Sequence, residues 1–511
     1  MDRKKPDRTK TQAENAKLKG WAAGTPPATI QFDQKKFKDS DTSRVELWRK
    51  VLPFKPMDHV VLLLMSPKNI SGTYTRNRGT LLPGYYQETA ILGFNPNFSA
   101  PGFNFVSGIQ EQDFAIRAYE NDWLVPKATL LYTYNTTYKE EYNLRATVNP
   151  LKNLRIQLTM NRNYATNMAQ QFYYDSLKVN DEGSLGAYHF PRAIETGNFS
   201  MSYLSIFTAF SADEEGSWNS SVFDDFLKNR EIISQRRGAE NPNSNGFIGN
   251  YRDGYSGTAQ DVLIPTFLSA YGGTDPNSTS LGSFDKYIPI PNWRITYDGL
   301  EKIPILNRAF KKISLNHSYR STFNVSSFTT NLFYTEDEKS RNVENNFISA
   351  YQISSVSISE QFGPLLGVDV TLENNILVKF EYKRDRNASL SMANNQITEV
   401  KGNEYSIGSG YTFRQIRVPF IKRRIQSDID TRIDFSLRNN NTIIRKIVEG
   451  VNQLTSGQSI FSVKFTADYK ISQKLNLRLF YDYIATNPLV STTFPTTNTN
   501  AGFSLRFILS Q

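Results

Sequence analysis

Histidine occurs three times in this 511-residue chain, at His59, His189 and His317. No two of them lie at zinc-ligand spacing, and none accompanies a serine-nucleophile motif. Cysteine is absent, which excludes a disulfide framework, a thiolate zinc site, an iron-sulfur cluster and a cysteine nucleophile. The acidic doublets Glu140-Glu141, Glu214-Glu215 and Asp224-Asp225 could supply paired carboxylates for hydrolysis. All three are expected in turns, at strand starts or at a helix start, where solvated charge is the ordinary state. Gly408-Ser409-Gly410 has the outline of a phosphate loop, yet it lies inside an alternating run with Tyr405, Ile407, Tyr411 and Phe413. Glycine there clears one face of a sheet for close packing or curvature. With no P-loop, dinucleotide fingerprint or calcium loop, the residues predict no enzyme, no catalytic site, no metal and no cofactor.

What these residues sit on is more informative. Alternation with a period of two places one set of side chains on each face of a strand. From Ile460 to Tyr469, Phe461, Val463, Phe465, Ala467 and Tyr469 share one face, with Ser462, Lys464, Thr466 and Asp468 opposite. After a turn at Lys470 to Lys474, Leu475, Leu477, Leu479, Tyr481 and Tyr483 continue the pattern as the second strand of a hairpin. The same texture marks Ile429 to Leu437, Tyr405 to Phe413 and Ile313 to Val325. Further hairpins are expected for Tyr142 to Val148 with Leu154 to Met160, and for Val368 to Leu372 with Ile376 to Tyr382. About 14 to 16 such segments predict an all-β chain, many of them near the roughly 9 to 11 residues of a membrane-spanning strand.

Alternation also suits a soluble sheet with one wet face. Strand length, Tyr and Phe at strand ends (Tyr405, Tyr411, Phe413, Tyr469, Tyr481 and Tyr483) and short turns alternating with long excursions favour an antiparallel transmembrane β-barrel. The end of the chain fits: Phe503, Leu505, Phe507 and Leu509 alternate with Ser504, Arg506 and Ile508, as in a C-terminal strand presented for membrane insertion. The domain reading is a basic, weakly ordered lead-in over 1–58 and a barrel portion over 59–511. Excursions are expected at about 161–197 and 211–290. The second carries a short cap helix from Val222 to Ser234, with Phe223, Phe226, Leu227 and Ile233 at helical spacing.

The longest apolar run, Val60 to Met65, is far below the roughly 18 to 20 residues of a membrane helix. The N-terminus lacks the apolar stretch of a signal peptide. The net charge of +10 is concentrated in residues 1–50, with 13 basic and 7 acidic side chains, leaving +4 over the rest. Beyond the lead-in, basic and acidic residues alternate along strands, so no nucleic-acid platform is expected.

Several irregular segments carry a family likeness. Gly79-Thr80-Leu81-Leu82-Pro83-Gly84-Tyr85, Asn97-Phe98-Ser99-Ala100-Pro101-Gly102-Phe103 and Pro289-Ile290-Pro291-Asn292-Trp293-Arg294-Ile295-Thr296-Tyr297-Asp298-Gly299-Leu300 resemble the C-terminal part of the SprA/Sov family. So do Leu390 through Asn394-Asn395-Gln396 to Phe413, and Val490-Ser491-Thr492-Thr493-Phe494-Pro495 to Phe507. These are the outer-membrane translocons of the type IX secretion and gliding motility machinery of Bacteroidetes. The resemblance runs from about residue 60 to the end. It implies a share of a very large single-chain barrel in the cell outer membrane, surrounded by lipid, that passes secreted cargo proteins. Its implied partners are a plug protein, a cargo shuttle protein and a periplasmic isomerase-like subunit. Family members are several times longer, so the chain is expected to be a C-terminal fragment or a split gene product. Alternatives are a stand-alone outer-membrane porin or nutrient receptor, whose 211–290 excursion would be a selectivity loop, and a soluble β-sheet binding protein.

Overall fold

The computed structural model describes residues 67–96, 100–126, 131–179, 185–335, 337, 339–417, 426–472, 474–490 and 493–507. The lead-in over 1–58, His59 and Leu509 lie outside these residues. In chain order the strands begin with β1 (Pro67–Leu81), β2 (Leu131–Val148), β3 (Leu154–Val179), β4 (Leu185–His189) and β5 (Ile194–Ser202). After the two-residue strands β6 (Phe247–Ile248) and β7 (Tyr251–Arg252) come β8 (Asn292–Tyr297), β9 (Phe310–Thr330), β10 (Tyr351–Ile353) and β11 (Ser355–Leu372). The chain then meanders through β12 (Leu377–Ser391), β13 (Gln396–Arg417), β14 (Gln426–Lys446), β15 (Val451–Ser472), β16 (Leu475–Pro488) and β17 (Thr496–Phe507). The helices are α1 (Phe103–Val106), α2 (Phe114–Glu120), α3 (Ser221–Glu240) and α4 (Gln260–Gly272).

All strands but β6 and β7 join one 15-stranded sheet, ordered β1-β2-β3-β5-β9-β11-β12-β13-β14-β15-β16-β17, with every described pairing antiparallel. The expected all-β class and the expected hairpins are present. Their turns use left-handed asparagines or glycine, as at Asn153, Asn375, Asn395 and Gly450. Among the described residues β1 pairs only with β2 and β17 only with β16, so the sheet has two free edges.

Among the described residues, most of the excursion expected at 161–197 is instead strand. β3 runs unbroken to Val179, gripped by β2 along one side and by β5 and β8 along the other. In this stretch Asn163, Ala165 and Asn167 face one side while Thr166, Met168 and Gln170 face the other, so both faces are mixed and hydrophobic alternation fades. Backbone pairing, not pattern, holds it extended.

The second excursion is a helical insert, and its placement follows from a broken strand. β5 and β8 occupy the same column of the sheet: β5 pairs with the distal half of β3 and β9, and β8 with the proximal half. The chain leaves the sheet at Ser202, builds residues 203–291 on one face, and re-enters directly below at Asn292. The break is sealed by Tyr203 N–H to the Ser321 carbonyl at 3.0 Å, Ser321 N–H to Asn292 Oδ1 at 2.7 Å, and Ile290 N–H to the Ser202 carbonyl at 3.0 Å. The expected helix is α3, extended to Glu240; α4 is additional. Pro265 and near-complete burial hide α4 from a periodicity argument.

Candidate functional site

The sheet presents two chemically different faces, and one of them is divided into two zones. Successive partners Leu315, Val368, Phe380, Ile407, Phe435, Val463 and Tyr483 form one apolar row across seven neighbouring strands. Rows on either side of it continue through Tyr382, Tyr405 and Leu437, through Phe465 and Tyr481, and through Leu479 and Phe503. This belt is bare. Tyr405 is 46% exposed and Phe503 73%. Along β13 it runs from Tyr405 to Phe413, about 27 Å at the rise of an extended strand. At the far edge Ile70, Tyr74, Tyr142 and Leu144 extend it, also exposed. Contiguous bare apolar surface of this extent marks an interface rather than ordinary solvent-facing sheet.

Toward the other end of the same strands, the same face is covered. α3 and α4 bury Phe223, Phe226, Leu263 and Phe267 against Phe199, Phe323, Val325, Ile358, Leu390 and Ile397. A smaller insert, described over 82–96 and 100–125, packs Phe114, Ala118 and Trp123 onto Tyr134, Phe172 and Tyr188. The loop from Asn331 to Ala350 straps the larger insert: Phe347 is buried beside Ile233, Tyr255 and Val262, and Arg341 makes a bidentate pair with Asp253 at 2.7 Å. That guanidinium holds the Asp253 carboxyl below the usual carboxylate range.

Charges also cross into this covered zone. Arg445, with no side-chain exposure, contacts Glu399 at 2.7 Å, Asp213 at 2.6 Å and the Trp218 carbonyl at 2.8 Å. Lys401 pairs with Asp213 at 2.8 Å and Glu399 at 3.3 Å. Nearby Arg386 meets Glu360 at 3.1 Å and donates to the Thr208 carbonyl at 2.8 Å, while Ser205 Oγ donates to Glu360 at 2.8 Å. Three cations against three carboxylates leave the cluster balanced. Because each buried charge is paired and hydrogen-bonded, the cluster fixes where residues 205–219 sit on strands β11 to β14. Above it, burial pushes the Tyr271 hydroxyl well above its ordinary range.

The opposite face is mainly polar, with apolar exceptions such as Ile460, Phe480 and Ile484. One row reads Asp369, Lys379, Gly408, Asp434, Lys464, Asp482, Asn500, alternating in sign across the sheet. Ion pairs link Lys379 and Lys383 to Glu381 at 2.8 and 3.2 Å, Arg432 to Asp434 at 2.7 Å, and Arg478 to Asp468 at 2.7 Å. Gly402 and Gly408 lie on this side, where an added Cβ would collide with the carboxylates of Asp385 and Asp434. Gly408 of the Gly408-Ser409-Gly410 run therefore clears a sheet face, whereas an added Cβ at Gly410 would meet only ordinary contacts.

Phe503, Leu505 and Phe507 fall on the bare belt, opposite Leu479, Leu477 and Leu475, at the free edge of β17. His189 lies on β4 against the Tyr173 ring, and His317 on β9 with Nδ1 2.7 Å from the Leu365 carbonyl; the structure does not bring them together. The expectation for Glu140-Glu141 needs correction. Both lie within β2, on opposite faces: Glu140 accepts from Tyr74, Tyr142 and Arg162, and Glu141 pairs with Lys139. A doublet split between two faces cannot act as a carboxylate pair. Glu214 lies in a turn bonded to Ser217 and Asn219, and Asp224 in the first turn of α3. Among the described residues, no cluster of three histidines or carboxylates could hold a metal ion.

The buried charge cluster was missed, although the sequence carries its signal. Glu360 between Ile358 and Phe362, Arg386 beside Ala388, Glu399 and Lys401 after Ile397, and Arg445 after Ile443 each interrupt the apolar parity of a strand. Compared with known proteins, the chain matches no family model and no curated sequence.

Proposed function

We propose that the chain forms part of the wall of a wide outer-membrane conduit for type IX protein secretion and gliding motility. The observation that carries this reading is the bare apolar belt, about 27 Å along β13, backed by a mainly polar face on the same strands. In this reading hydrocarbon covers the belt, and the polar face lines a hydrated path. Outward-facing apolar bands of roughly 25 Å on alternating strands are the general solution for a barrel in lipid. Charges of both signs, mostly paired, suit passage of varied cargo proteins better than selection of one ion. The two free edges support an arc completed by further strands over a pore closed by this chain alone. The likeness to the SprA/Sov family supports the same reading and brings with it the plug, shuttle and isomerase-like partners.

The cysteine-free sequence makes the test direct. Single Lys464→Cys and Phe465→Cys variants of the full chain are exposed to a water-soluble maleimide in intact membranes. Position 464 is expected to label readily and position 465 only after detergent is added. Equal labelling of the two in membranes overturns the reading.

A further inference from the structure

The larger insert carries bare aromatic surface at the level where the belt ends. Strand β5 breaks at Ser202, so the insert leaves the sheet at the top of the belt rather than at a strand end. Its first turn, Ile206–Thr208, is a short 3-10 helix. Ile206 packs inward with Trp293, Leu365, Tyr319 and Phe362, while Phe207 and Phe210 are 73% and 52% exposed. The Phe210 ring lies 5.3 Å from that of Phe362 and 5.3 Å from the Arg384 guanidinium carbon. Phe362, Arg384 and Asn403 form the row next above Leu366, Tyr382 and Tyr405. In that lower row Tyr382 and Tyr405 stack at 4.6 Å. Whereas Arg162, Arg386 and Arg445 on this face are each paired with a carboxylate, Arg384 has no carboxylate partner among the described residues.

We propose that this lip, with Phe207 and Phe210 beside Arg384, docks on the lipid surface flanking the sheet, with a phosphate-bearing headgroup against Arg384. The inference rests on the membrane reading above and extends it: the insert becomes a membrane-surface element rather than a solvent-facing cap. Three features point to lipid. The lip packs on the buried Phe362, one row from the belt's Leu366 and Tyr382. Aromatic rings bordering an apolar band are characteristic of the bilayer interface, where the amphipathic zone accepts them. A guanidinium lying over an aromatic ring, with no carboxylate partner among the described residues, is complementary to an anionic headgroup at that level.

The test uses the full chain in vesicles of phosphatidylcholine with and without phosphatidylglycerol. Phe210→Cys, Phe465→Cys on the belt and Phe247→Cys on the insert's exposed β6 each carry one polarity-sensitive fluorophore. Quenching by lipids spin-labelled near the headgroup or deep in the acyl chain is compared. Position 210 is expected to be quenched several-fold more strongly than 247 by the shallow label, and position 465 by the deep one. If 465 is quenched and 210 behaves like 247, the lip does not touch lipid and the membrane reading stands. If 465 is not quenched either, both fall. Adding Arg384→Gln to the 210 variant is expected to abolish any extra quenching that phosphatidylglycerol produces. Persistence of that increment overturns the headgroup contact.

Discussion

The two ends of one sheet face differ in a single respect. Phe323, Ile358 and Leu390 alternate with polar neighbours as Phe435, Phe465 and Leu437 do, yet the first group is buried under helices and the second is bare. β13 continues through both zones with the same parity, paired with β14 without a shift from Gln396 to Phe413. What changes is the cover, and the boundary carries its own chemistry. Charges enter the apolar parity at the borders of the belt, as Arg445 and Glu399 do under the insert, Glu140 and Arg162 beside Tyr74 and Tyr142, and Arg384 against the Phe210 ring. In the bare belt, ionised side chains give way to aromatics and aliphatics. An unpaired charge facing hydrocarbon would have no compensation, whereas one facing a packed insert can recruit a carboxylate, a carbonyl or a hydroxyl.

Glu399→Ala should break this contrast most severely. It leaves Arg445 and Lys401 sharing Asp213 alone inside a dry site, a change that costs about 3–5 kcal/mol when one partner of a buried pair is lost. The insert is expected to become sensitive to limited proteolysis within 203–291 while the β14–β17 hairpins stay protected. Equal protection of the insert in the variant and the parent would show that apolar packing alone holds it. The converse change, Phe465→Arg, places a charge in the bare zone. Near the middle of a membrane barrel's lipid face this costs about 2–4 kcal/mol. The carbonate-resistant fraction is expected to fall, with Lys464→Arg, one residue away on the polar face, behaving as the parent. Full membrane retention of Phe465→Arg would remove lipid as the belt's cover.

The same contrast explains what the sequence could convey. Period two assigns residues to faces, and it placed Phe461 to Tyr469, Leu475 to Tyr483 and Ile429 to Leu437 on one side, as the structure has them. It is silent on what covers a face, because Phe323 and Phe465 occupy identical local patterns. It also fails where both faces mix polar and apolar residues, as along β3 from Asn163 to Gln170, and where all sides are apolar, as in α4. The charge cluster lay in view as a set of parity violations. Each violation alone reads as an ordinary strand charge; the register of β11 to β14 brings five of the side chains together, and the insert adds Asp213.

The smallest effect concerns the strap that secures the covered zone. Arg341 lowers the Asp253 carboxyl pKa through a bidentate pair. A carboxylate whose pKa is lower folded than unfolded adds stability above its unfolded value, near 4, and this is lost as pH falls through the folded value. At partly exposed positions such a pair is worth about 0.2–1 kcal/mol. Other carboxylates titrate in the same range, so the informative quantity is the difference between the parent and Arg341→Met. The parent's extra protection of residues 339–347 against amide hydrogen exchange, present at neutral pH, is expected to shrink progressively below pH 4. It should converge on the variant's once Asp253 is protonated. A difference that stays constant down to pH 2 would assign the strap's hold to Phe347 packing and the Arg341–Phe347 ring contact at 4.3 Å rather than to the ion pair.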